Sequence, residues 1–152
     1  MARRPDRAGR ARSLSRKLVM QALYQWQLTG HSCAELRNQF TADEDYGGAD
    51  HEYFEALLKG VTDARDSLDV ELGSLIDRPV AQLDPVEHAV LLLGLFELRE
   101  RPDVPYRVAI NEGVELAKRF GATDGHKFVN AVLDRAARVL RSAEQASAGA
   151  RA

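Results

Sequence analysis

The chain has 152 residues, 45% apolar and 29% charged, and a net charge of −2, the composition of a single soluble globular domain. Its longest apolar run, Ala89–Phe96, is far short of the roughly 20 residues that span a bilayer. The lone Cys33 excludes an intramolecular disulfide and a cysteine zinc cage, so a cytoplasmic setting is expected.

The charge is uneven. Arg3, Arg4, Arg7, Arg10, Arg12, Arg16 and Lys17 face only Asp6, giving the first seventeen residues +6 and the remainder −8. Such asymmetry points to a polyanionic partner, most often nucleic acid. An Arg-rich start also occurs in organelle transit peptides, but residues 1–12 have no strong amphipathic face.

In chain order, residues 1–12 read as a basic flexible arm. Apolar spacing near 3.6 then recurs, and strand-like alternation is scarce. The first helix is expected over Ser13–Thr29, ended by Gly30. Ser32 and Glu35 form a capping box for a second helix through Thr41. An acidic link follows (Asp43, Glu44, Asp45, Gly47, Gly48). Asp50 can cap a third helix with Tyr53, Phe54, Leu57, Leu58 and Val61 inward. The pattern continues through Leu68, Leu72, Leu75 and Ile76 to Arg78-Pro79. Asp84, Pro85 and Glu87 open a helix that is apolar nearly all round, the expected central helix. A further helix runs from Pro105 to Gly121. Thr123 is the expected cap of a last one, with Phe128, Val129, Val132, Leu133, Ala136 and Leu140 inward. Residues 142–152, rich in Ala and Ser, read as a disordered tail. The expectation is therefore all-α: a single-domain compact bundle of about six or seven helices over residues 13–141.

At about 100° per residue, Arg10, Ser13, Gln21, Tyr24 and Leu28 share the side of the first helix that carries Lys17. Val19, Ala22, Leu23 and Trp26 lie opposite, so Trp26 reads as a packing residue. A stripe of cations, an amide and a phenol ring suits single-stranded nucleic acid: cations neutralise phosphates, an aromatic face stacks bases, and Gln bonds base edges. The plain alternative is a solvated basic arm with a rim tyrosine.

Catalytic signals are lacking. His31, His51, His88 and His126 form no metal-ligand pairing, and Asp43, Glu44 and Asp45 lack calcium-loop spacing. There is no phosphate-cradling loop and no nucleophile elbow. No enzyme, metal or cofactor is expected.

Several segments together resemble the NusB family of bacterial transcription antitermination factors. They are Gln21-Ala-Leu-Tyr-Gln-Trp26, Tyr53-Phe54 with Gly60-Val61, Asp84-Pro-Val-Glu-His-Ala-Val-Leu followed by Phe96-Glu-Leu98, Val104–Gly121, and His126-Lys-Phe-Val-Asn-Ala-Val-Leu-Asp134. The similarity covers about residues 12–140. It implies a non-catalytic helical protein that binds boxA, a single-stranded element of nascent ribosomal RNA, together with the ribosomal protein NusE, as part of an antitermination complex on RNA polymerase. On that resemblance the RNA contacts come from the arm and first helix, at Arg7, Arg10, Arg12, Arg16, Lys17, Gln21 and Tyr24. They come also from Asp124, Lys127 and Phe128, although periodicity alone makes Phe128 core. Glu87 is the residue assigned to the protein partner. The question of monomer or homodimer stays open.

The chain departs from the family pattern in three places. Leu92 stands where Arg is frequent, so any polar contact made there is missing. Gly125 stands where Ser is common, which weakens the last helix's opening turn. Ala131 replaces a Gly and adds a methyl group at a helix contact. Rival readings are a helical RNA- or protein-interaction module of another ribosomal RNA pathway, the helical domain of an RNA cytosine methyltransferase, a purely structural bundle, and a helix-turn-helix reader. The chain offers neither a nucleotide-binding α/β segment nor a basic recognition helix.

Overall fold

The computed structural model describes residues 6–150, with side chains described through Ser147. Arg3, Arg4 and the rest of 1–5, with 151–152, lie outside the described residues. Eight helices occur among the described residues: α1 (Arg7–Thr29), α2 (Cys33–Thr41), α3 (His51–Asp63), α4 (Arg65–Gly73), α5 (Pro85–Glu100), α6 (Tyr106–Phe120), α7 (Gly125–Leu140) and α8 (Ser142–Ala150). Single 3-10 turns lie at Glu44–Gly48 and Val80–Gln82. No strand occurs among the described residues, so the protein is all-α. The helices fall into two compact units, divided between Asp63 and Ala64.

In the first unit, α1 begins six residues before the expected Ser13. Asp6 is the reason: its Oδ1 accepts the Ala8 N–H at 3.1 Å, satisfying one of the donors a helix start leaves open. Arg10 N–H reaches Asp6 O at 2.9 Å. Residues 7–12 of the expected flexible arm are therefore helix. Gly30, at φ 71°, ends α1 with its N–H on Trp26 O. The Ser32–Glu35 capping box is present on α2, and Asp50 Oδ1 accepts the Tyr53 N–H at the start of α3. Leu18, Val19, Ala22 and Leu23 of α1, Leu36 of α2, and Phe54, Leu57 and Val61 of α3 are all fully buried. α2, α3 and the first 3-10 turn pack against α1, so Ser15–Met20 is buried on every side of the helix.

In the second unit, α5 is the central helix, buried continuously from His88 to Leu98 and packed by α4, α6 and α7. A Cβ placed on Gly94 of α5 or Gly113 of α6 would come within 2.9 and 2.8 Å of Leu133 Cδ1. The two glycines thus form a notch that admits the Leu133 side chain of α7, locking three helices together.

The expected disordered tail is instead helix α8, and its anchor is polar. Arg141, 8% exposed, donates to the carbonyls of Leu98, Val104, Glu97 and Arg101 at 2.8–3.1 Å. These carbonyls end α5 and follow it, so one guanidinium closes the helix's C-terminus. Glu144 of α8 pairs with Arg141, and its Oε2 accepts the Tyr106 N–H at 3.0 Å. α6 has no side-chain cap of its own at Pro105, and Glu144 serves that end from another helix.

Candidate nucleic-acid interface

In the first unit, α1 presents its cations in three different environments. Arg7 and Arg10 are exposed on its opening turns. Arg12 is half-buried, its guanidinium carbon 4.1 Å above the Tyr53 ring and its Nε 3.9 Å from Asp50 Oδ2. Arg16, expected outward, is only 3% exposed and lies 5.3 Å from the same ring. Such stacking fixes a guanidinium's plane.

Lys17 departs from expectation as well. It is 9% exposed, because the Glu44–Gly48 turn folds over that side of α1 and Asp45 takes its ammonium. A helical wheel treats one helix alone. It has no means of showing that an acidic link 28 residues further on returns to the same face.

The rest of the stripe is open. Tyr24 is 38% exposed, whereas Val19, Ala22 and Leu23 opposite are fully buried, and Trp26 is half-buried. Tyr24 and Gln21 line a groove of about 360 Å³ with Gln25, Leu28, Thr29, Phe40 and Asp43. The groove joins an aromatic face, two amides and an apolar floor, the chemistry that holds an unpaired base. Gln25 was not singled out in the sequence. Its amide is paired with Gln39 at 2.6 and 2.8 Å, a cross-helix pairing that no local pattern encodes.

In the second unit, Asp124, Lys127, Phe128 and Glu87 belong to one neighbourhood. Asp124, not Thr123, occupies the N-cap position of α7, at φ 66° and without a side-chain cap bond. Its carboxylate is turned toward Lys127, at 3.2 Å. This left-handed backbone is uncommon for a residue with a Cβ, and Asp is among the residues that tolerate it best. Phe128 is half-buried, not core, and the Arg78 guanidinium lies 4.4 Å over its ring. Arg78 appeared in the sequence only as a helix breaker beside Pro79.

Glu87 is half-buried, and its N–H is capped by Asp84 Oδ2 at 3.2 Å. Burial pushes its carboxyl above the usual carboxylate range, Asp84's charge adds to this, and Arg78 opposes it. A Cβ on Gly125 would meet Glu87 Oε1 at 2.9 Å. Gly125 is thus the residue that leaves room for the Glu87 carboxylate, beyond any effect on the opening turn of α7. Ala131 is exposed, so its extra methyl enters no core packing, and Leu92 is fully buried.

No group of three or more His, Cys, Asp or Glu side chains suited to a metal ion occurs among the described residues. No described helix is long and apolar enough to cross a membrane. Fold and surface together define an all-helical protein with an arginine-bearing helix start and, further along the same helix, an aromatic groove.

Comparison with known proteins places that class. The NusB family model matches residues 13–138. The chain is 54% identical over 134 residues to the transcription antitermination protein NusB of Alcanivorax borkumensis, covering 88% of this chain and 89% of that protein. It is 49% identical over 143 residues to the NusB of Hahella chejuensis, covering 94% and 96%. Among solved structures, a crystal structure of antitermination factors NusB and NusE in complex with double-stranded RNA superimposes with a TM-score of 0.71 at 25% identity, over 86% of this chain and 98% of that one. The NusB of T. maritima gives 0.69 at 27% identity, over 83% and 89%. The chain belongs to the NusB family, whose members are non-catalytic transcription antitermination factors.

Proposed function

We propose that this chain binds the boxA element of nascent ribosomal RNA together with NusE and so promotes antitermination by RNA polymerase in the cytoplasm. Membership of the NusB family over residues 13–138 is the observation that carries this reading. The local chemistry supports a division of labour. Exposed Arg7 and Arg10, with half-buried Arg12 stacked on Tyr53, supply phosphate neutralisation along α1, while buried Arg16 backs the same ring. Tyr24 offers a stacking face and Gln21 an amide in the adjoining groove. Asp124, Lys127 and Phe128 form a second RNA-facing region at the start of α7, with Phe128 backed by Arg78. Glu87 meets NusE.

Binding of a labelled boxA single strand and a scrambled strand, each with and without NusE, tests the assignment. The expected result is a preference for boxA that NusE strengthens. Equal affinity for both strands, unaffected by NusE, would contradict it.

A further inference from the structure

The Glu44–Gly48 turn sits where the RNA-facing stripe of α1 would otherwise be continuous. Lys17 lies within about 40° of Gln21 and Tyr24 around the helix, yet Asp45 covers it. None of the turn's five residues is buried, and its contact with the core is an edge of the Tyr46 ring at Phe54. It is held by light interactions. Asp43 Oδ1 accepts the Asp45 N–H at 2.8 Å. The Tyr46 ring stacks on His51 at 4.0 Å and meets Phe54 edge-on. Asp50 N–H reaches Ala11 O at 3.1 Å. An element fastened this way belongs to the easily opened end of a protein's stability range. The neighbouring Asp43 also lines the Tyr24 groove, so two carboxylates of one segment stand beside the proposed path of a polyanion.

We infer that the Glu44–Gly48 turn is an acidic lid, with Asp45 holding Lys17 in the place of a nucleic-acid phosphate. A bound single strand displaces the carboxylate and recruits the ammonium. A weakly held polyanion does not, so the lid raises discrimination at the expense of affinity. The inference rests on the RNA reading of α1.

The test is a salt titration of single-strand binding for the wild type, Asp45→Asn, Glu44→Gln and the double variant Asp45→Asn/Lys17→Met. The Asn variant is expected to bind about two- to fivefold tighter, the range of a modest ion pair. Its slope of log affinity against log salt should match that of the wild type, because Lys17 neutralises the same phosphate in both complexes. Glu44→Gln removes the same charge from a residue outside the pair and should leave affinity nearly unchanged, and Lys17→Met in the double variant should erase the gain and flatten the slope by about 0.7, the increment for one neutralised phosphate on a single strand. If wild type binds RNA but Asp45→Asn leaves affinity unchanged or weakens it, the lid is refuted while the RNA reading stands. If wild type binds no single strand, both fall.

Discussion

Tyr24 is a large ring left 38% exposed on a helix whose opposite side is sealed. Replacing it with Ala removes a stacking face and little core. RNA affinity should fall by about 1–3 kcal/mol while the melting temperature hardly moves. A large loss of thermal stability with normal affinity would mark the ring as structural. Gly125→Ala makes the opposite kind of change. The added methyl meets the Glu87 carboxylate at 2.9 Å, and because that oxygen ends a flexible side chain, the carboxylate is displaced at little cost in stability. Calorimetry should show little change in melting temperature, and pull-down should show weaker NusE retention. Unchanged NusE retention would show that Glu87 does not meet NusE. Tyr24 was legible in the sequence because outward position follows from helical geometry. The tight approach at Gly125 was not, since it depends on how α5 and α7 pack.

Among the elements, helix ends were the most readable features. The Ser32–Glu35 box, the Asp84-Pro85 start and Gly30 all appear where local chemistry places them. The start of α1 was missed although Asp6 is a good cap, because residues 7–12 lack the apolar periodicity that usually signals a helix. Asp6→Ala should fray that start, costing about 1 kcal/mol, and should reduce the amide protection of residues 8–10 in hydrogen exchange. Unaltered protection would show that the cap is dispensable.

Helix α8 was illegible for a different reason. Its composition reads as disorder, and its anchors are Arg141 and Glu144, which reach residues 37 to 44 positions earlier. Burial alone would raise the Glu144 carboxyl. The Tyr106 N–H and the Arg141 guanidinium outweigh it and hold the group below the ordinary value of 4.5. A depressed carboxylate contributes stability that is complete above its unfolded value and lost as pH falls through the folded one. Glu144→Gln should therefore flatten the acid side of the stability–pH curve while leaving the shape of the curve near neutrality unchanged. Superimposable acid limbs for variant and wild type would exclude the anchor.

At the scale of the whole molecule, helical periodicity and family motifs were enough to read the all-α class. The two compact units share the same 3.6-residue pattern, and packing between positions distant in sequence distinguishes them. The same limit applies to the site. Cations could be read one by one, but their availability depends on distant acidic and aromatic partners such as Asp45 and Tyr53.

The central claim is that α1 delivers fixed positive charge to a single-stranded RNA. It is tested most directly by the salt dependence of boxA binding, with NusE present, for the full chain and a chain lacking residues 1–12. The account predicts weaker binding by the shortened chain and a slope flatter by about 0.7 for each phosphate that is no longer neutralised. An identical slope in the two proteins would contradict it.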